Sequence, residues 1–279
     1  MTTSADTGIF SVSGERAAIE TRGLTRRFGD FTAVDGLDLT IPDGVIFGLL
    51  GPNGAGKTTF IRMLVTLLPP TSGEARVAGF DIRREPREVR RRIGYIPQLL
   101  SADGGLTGYE NLMTMARLYG VPRSERRERV RDALSAMGLS ETAGLLARNY
   151  SGGMIRRLEI AQAILHRPRV LFMDEPTVGL DPVARRAVWE SVRSLRESSG
   201  AAIIITTHYM EEAEELCSRV AIMHRGGIAA IGTVESLKEE AGGAESLDEA
   251  FVHFTGSSME SGGRYRDIAQ VRKTASRLG

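Results

Sequence analysis

Four short apolar runs stand out along the chain, and each ends in polar residues. Val45 to Leu50 runs into Gly51, Ile93 to Ile96 into Pro97-Gln98, Val170 to Met173 into Asp174-Glu175, and Ala201 to Ile205 into Thr206-Thr207-His208. Uninterrupted apolar runs of this length read as strands buried on both faces, as in a parallel sheet. Ligands of open α/β sheets bind at the carboxyl ends of such strands. Leu37-Asp38-Leu39-Thr40-Ile41 alternates instead, the mark of a half-buried strand, and Pro42-Asp43-Gly44 turns it into the next run. Ile19 to Leu24 predicts a first strand, with a turn at Thr25-Arg26-Arg27-Phe28-Gly29. Ala75 to Gly79 predicts a short strand after the breaker cluster Pro69 to Gly73, and Val220 to Met223 forms a terminal hairpin with Ile228 to Ile231.

Between Gln98 and Ser151 the pattern turns helical. Thr107-Gly108-Tyr109-Glu110 is a capping box that opens a helix to Tyr119. Ser124 is placed to cap a second helix, with Val130, Ala133, Leu134 and Met137 at i, i+3, i+4 and i+7. Helices are also expected over Ile155 to His166, Val183 to Arg196, Met210 to Arg219, Leu237 to Glu240 and Ser246 to Phe254. A helical insert therefore interrupts an alternating α/β chain.

The chemistry centres on Gly51-Pro52-Asn53-Gly54-Ala55-Gly56-Lys57-Thr58-Thr59, which fits the phosphate-binding pattern G-x-x-x-x-G-K-[ST] between a strand and a helix. The glycines let successive N–H groups turn inward on an anion, and the helix adds its positive end. Lys57 can reach the β- and γ-phosphates, and the Thr58 hydroxyl can ligate Mg²⁺, with Thr59 capping close by. Asp174, at a strand's end, is placed to hold Mg²⁺ through water, and Glu175 to act as general base on an attacking water. Gln98 at another strand end can touch Mg²⁺ or water, and His208 can contact the γ-phosphate. Ser151-Gly152-Gly153 opens a helix and is either a second anion-binding N-terminus or a flexible cap. Phe28 is either a core aromatic or a base-stacking surface.

Composition narrows the setting. An apolar content of 42% and a charged content of 25% are those of an ordinary globular protein. With a net charge of +1, bulk nucleic-acid binding is not expected, and the basic stretch Arg83 to Arg92 reads as a solvated helix face. The single cysteine, Cys217, excludes an internal disulfide, fits a reducing compartment and reads as a small buried residue. No apolar run approaches the ~18 residues of a membrane span, and Met1 to Gly14 lacks the pattern of a signal peptide, so a cytoplasmic protein is expected.

In this order the pieces resemble the ATP-binding subunit of an ABC transporter, over about residues 19 to 240. The decisive feature is Ser151-Gly152-Gly153 standing about twenty residues before Asp174-Glu175. The resemblance implies an α/β fold: a RecA-like phosphate-loop ATPase core with an N-terminal antiparallel β subdomain and an inserted α-helical subdomain, at about 99–165. Residues 16–240 would form the ATP-binding domain, after a disordered 1–15 and before a short helix and mobile tail at 241–279. It implies that Phe28 stacks on adenine, Gln98 is the Q-loop glutamine, Asp181 lies in a nucleotide-contacting D-loop (Gly179-Leu180-Asp181), and His208 is the switch histidine. ATP and Mg²⁺ are the implied cofactors. The implied partners are a second ATP-binding subunit, forming a homodimer, and a separately encoded transmembrane permease, which would place the chain at the cytoplasmic face of the membrane. The family's signature is L-S-G-G-Q; here Tyr150 and Met154 replace its first and last residues. Leu68 to Gly73, Gly179 to Pro182 and Ser246 to Gly256 are similar to the bacterial drug-resistance branch of daunorubicin-exporter type. The competing reading is an ABC ATPase acting on DNA or ribosomes. Fewer than a hundred residues separate Lys57 from Ser151, which leaves no room for the long coiled coils of many such proteins.

Overall fold

The computed structural model describes residues 16–99 and 101–256. The expected disorder of residues 1–15 and the tail beyond residue 256 lie outside them. β1 (Ala17–Phe28) and β2 (Phe31–Pro42) form an antiparallel hairpin, and β3 (Ile46–Leu50) leads through the glycine loop into α1 (Lys57–Leu64). β4 (Ser72–Val77), β5 (Phe80–Asp81), α2 (Pro86–Arg92) and β6 (Ile93–Ile96) follow. The helical insert holds α3 (Gly108–Leu118) and α4 (Arg126–Ala136) and leads into α5 (Gly152–Ile164). The chain returns to the core with β7 (Val170–Asp174), α6 (Pro182–Ser199), β8 (Ala202–Thr207) and α7 (Met210–Leu216). It ends with β9 (Arg219–His224), β10 (Gly227–Gly232), α8 (Val234–Glu240) and α9 (Leu247–Thr255).

Two sheets result. One is antiparallel, in the order β2-β1-β4-β5; the other has the order β10-β9-β3-β8-β7-β6, with only β10 antiparallel to its neighbour. Alternation along the inner strands sorts their side chains between two cores. Ile46, Leu50, Leu171, Met173, Ile203 and Ile205 face the core shared with α5, α6 and α7. Phe47, Leu49, Val170, Phe172, Ala202 and Ile204 face the core shared with α1 and the antiparallel sheet. Continued by one step, the same parity turns Asp174 and Thr206 toward α1. Gly48 has a packing reason: a Cβ there would stand 2.9 Å from both Cys217 Sγ and Val220 Cγ1. Cys217 is buried, and burial pushes its thiol up, out of the reactive range.

The capping box at Thr107 forms, and α6 is bounded by the Asp181 side chain at its start and left-handed Gly200 at its end. Several expectations need correction. The segment Thr25 to Phe28 is strand, not turn: β1 continues through register shifts between Thr21 and Leu24 and again before Arg27. Ser124 does not cap α4; the Pro122 carbonyl accepts from the N–H groups of Glu125 and Arg126, and Glu125 occupies the cap position without a side-chain bond. α7 stops at Leu216 rather than Arg219. No side chain caps α1, so Thr59 plays no capping part.

Candidate functional site

The glycine loop is fixed by its surroundings. A Cβ at Gly51 would stand 2.3 Å from the Met223 carbonyl oxygen, and one at Gly56 would stand 2.2 Å from that of Ala33. Gly56 also holds φ at 105°, in the left-handed region that side chains disfavour. α1 then starts at Lys57 with no acid in its own first turn, and the negative charge at its positive end comes from the strand-end carboxylates Asp174 and Glu175. Pro52 to Gly54, Thr58 and Thr59 complete the loop, with Asn53 and Gly54 exposed. The buried Lys57 Nζ donates to the carbonyls of Gly51 (2.7 Å) and Pro52 (3.2 Å) and lies 3.4 Å from Glu175 Oε1. Burial lowers its pKa, and the Glu175 charge opposes that shift.

Strand register brings the other groups to the same edge. β8 lies between β3 and β7, with Leu50 opposite Thr207 and Asp174 opposite Thr206. Asp174 Oδ1 accepts from the hydroxyls of Thr58 (3.1 Å) and Thr206 (2.6 Å). Glu175 breaks the strand at φ 50°, and its N–H donates to both the hydroxyl and the carbonyl of Thr206. Its carboxylate is a meeting point: Gln98 Nε2 donates to Oε2 at 3.0 Å, and His208 Nδ1 lies 3.3 Å from Oε1. Burial pushes this carboxyl up, but the adjacent His208 ring and the Lys57 charge outweigh it, and the pKa falls below its ordinary value. Glu175 therefore stands ionised among groups that a phosphate could take from it.

Phe28 is no core aromatic. It ends β1 at 45% exposure, with the Arg26 guanidinium 4.5 Å from its ring centroid. Ser151, Gly152 and Gly153 start α5, with Ser151 accepting from Met154 N–H. They pack beside the Asp181 loop: a Cβ at Gly152 would meet Leu180, and one at Gly153 would meet Ala184. Asp181 itself caps α6 through Val183 and Ala184 N–H. Among the described residues, no hydrogen bond joins Ser151 to Gly153 or Asp181 to the glycine loop. Tyr150 has a role that leucine could not fill: its hydroxyl donates to the Thr142 carbonyl at 2.7 Å, anchoring α5 to the insert.

Sequence reasoning missed Thr206, Arg156 and Glu159. Arg156, nearly fully buried, donates to the carbonyls of Pro97 (2.9 Å) and Gln98 (3.0 Å) and pairs with Glu159 at 2.9 Å. Glu159 in turn accepts from Ser101 N–H. The available signals were polar: a threonine ending an apolar run, and Arg-x-x-Glu on an otherwise apolar helix.

Residues 34–178 match the family model described as ABC transporter. The chain belongs to the ABC transporter family. The daunorubicin/doxorubicin resistance ATP-binding protein DrrA of Streptomyces peucetius is 49% identical over 225 residues, covering 81% of this chain and 68% of that protein. The linearmycin resistance ATP-binding protein LnrL of Bacillus subtilis (strain 168) is 39% identical over 241 residues, covering 84% and 77%. A solved ATP-binding subunit of an ABC transporter superimposes with a TM-score of 0.75 at 29% identity, covering 85% of this chain and 99% of that one. The α/β core with its antiparallel sheet and helical insert is thus the ABC ATPase fold, and the chain is an ABC ATPase that binds ATP.

Proposed function

We propose that the chain is the ATP-hydrolysing motor subunit of an exporter. It works as a homodimer at the cytoplasmic face of the membrane and drives a separate permease that carries a drug or other hydrophobic small molecule. One observation carries this reading. Lys57, Asp174, Glu175, Gln98 and His208 converge on one sheet edge, while the N-terminus of α5 at Ser151-Gly152-Gly153 makes no hydrogen bond to that group. Two such half-sites, facing head to tail, would complete each other. The glycine-loop N–H groups and Lys57 of one subunit would hold the phosphates, and the α5 N-terminus of the second would approach the γ-phosphate. Asp181 would line the same interface, and Phe28 would offer its open ring to the adenine.

The Thr58 hydroxyl and the Asp174 carboxylate are hard oxygen donors suited to Mg²⁺. Among the described residues no cluster of three His, Cys, Asp or Glu could hold a metal alone, so the remaining oxygens would come from the nucleotide and water. Bound there, Mg²⁺ would neutralise charge on the phosphates. A phosphate reaching Lys57 would displace Glu175 from it, freeing the carboxylate to polarise the attacking water. His208 would hold the γ-phosphate, and Gln98 would report its presence to the insert. No helix among the described residues is long and apolar enough to cross a membrane, which fits a motor that depends on a separate permease. The similarity to resistance proteins for daunorubicin and linearmycin supports the exporter direction and cargo class. Affinity purification from native membranes tests the assignment. Stoichiometric recovery of a polytopic membrane protein is expected; recovery of ribosomes or DNA alone would refute it.

A further inference from the structure

The most deeply buried acid of the described fold takes no part in the steps above. Glu212, on α7, is 0% exposed. Its Oε1 accepts from Thr177 Oγ1 at 2.7 Å and from Trp189 Nε1 at 3.0 Å. Thr177 follows Glu175 by two residues and opens the loop to Asp181, and Trp189 belongs to α6, which Asp181 caps. On its own side, Glu212 is four residues beyond His208, and the Thr207 side chain also lies against its carboxyl. One carboxyl thus joins the loop behind the proposed general base to the loop that carries the switch histidine. Arg185, whose charge acts on this carboxyl, is engaged elsewhere: it lies 3.6 Å from Glu211 and stacks over Tyr209. Burial pushes the Glu212 carboxyl up, against the polar side chains of Thr207, Thr177 and Trp189, which act the other way.

We propose that Glu212 is a positioning residue for ATP hydrolysis. Its carboxyl ties the Glu175–Asp181 loop to the His208 loop, so that a change at either loop reaches the other through Thr177. Glutamine can accept the same two hydrogen bonds, and alanine cannot. The proposal rests on the ATPase site described above.

The chain has one tryptophan, and it is Trp189, so its emission reports on this tie directly. The test compares Glu212→Gln, Glu212→Ala and Thr177→Val with the parent protein, measuring kcat, KM for ATP and the ATP-induced change in tryptophan emission. Expected are a kcat within about twofold of the parent for Glu212→Gln and a fall of between about tenfold and a hundredfold for Glu212→Ala, each with KM little changed. Thr177→Val removes one hydroxyl and is expected to keep the fold, lower kcat and lose the ATP-induced emission change. Thr177→Val with parental kcat and the parental emission response would overturn the tie, as would a parent protein whose emission ignores ATP. Lys57→Ala, run in parallel, separates the two levels. If it still hydrolyses ATP, the underlying site is wrong; if it is inactive while Thr177→Val is normal, only the tie is wrong.

Discussion

Thr206 is the side chain on which the placement of both acids depends, and replacing it with valine isolates that dependence. Valine matches threonine in shape and removes only the hydroxyl. That hydroxyl donates to Asp174 Oδ1 at 2.6 Å and accepts from Glu175 N–H at 3.0 Å, at a position with no solvent exposure. The first bond is to a carboxylate, worth about 1.5–3 kcal/mol. The second is worth less, because Glu175 N–H keeps the Thr206 carbonyl at 3.1 Å. Together the loss comes to about 2–4 kcal/mol, or a fall in Tm of about 4–16 °C for a domain of this size. Activity is expected to fall further than occupancy. Glu175 sits at φ 50°, a conformation held only by its surroundings, and a slack carboxylate would cost about tenfold or more in kcat. Thermal melts, ATP titration and steady-state turnover of Thr206→Val beside Thr206→Ser decide the matter. Serine keeps the hydroxyl and is expected to stay near the parent in kcat. A valine variant with unchanged Tm and unchanged kcat would refute the claim that this hydroxyl places the two acids.

Three further outcomes follow from other parts of the site. Gly56→Ala would drive a Cβ to within 2.2 Å of the Ala33 carbonyl at a φ of 105°, so fluorescent-nucleotide binding should weaken by at least about tenfold; parental affinity would show that the loop is more pliable than its packing implies. Arg156→Met should strand the buried Glu159 and free the carbonyls of Pro97 and Gln98, costing about 3–5 kcal/mol in denaturant unfolding, and adding Glu159→Met should recover part of it; a double variant as weak as the single one would contradict this. Glu212 carries a pH signature. With its pKa raised on folding, its contribution to stability is full below the ordinary carboxylate value and is lost as pH rises through the folded value, at up to about 1.4 kcal/mol per pH unit. Glu212→Gln has no such slope, so its Tm advantage over the parent should widen between pH 5 and 8, and parallel Tm profiles would contradict the shift.

The inner strands were legible because burial on both faces leaves no polar position to blur the pattern, and the glycine loop because its spacing is tied to a strand and a helix. The strand-end residues Gln98, Asp174, Glu175 and His208 could be placed on one edge from the strands alone, and the register puts them there. The sequence pattern makes β1 look too short because the strand is bulged: Gly23 at φ 55° and repeated register shifts destroy the two-residue period just where Arg26 and Arg27 look like a turn. Ser124 misled because a serine before a periodic run is a cap only if the backbone around it is extended, and here Pro122 had already started the turn. The partners of Thr206, Arg156 and Glu212 come from segments far away in sequence. A local pattern marks Thr206 and Arg156 only as polar residues in apolar surroundings, and only tertiary packing turns these residues into ties between loops.

The central claim is that a complete nucleotide site needs two chains, and Glu175→Gln tests it most directly because it should bind ATP without consuming it. Light scattering of this variant with Mg²⁺ and ATP should give a particle of twice the 30.3 kDa chain mass, reverting to a monomer with ADP. Adding Ser151→Arg, at the far half of the proposed site, should abolish the dimer while leaving ATP binding to the monomer intact. A Glu175→Gln chain that saturates with ATP and stays monomeric would contradict the account.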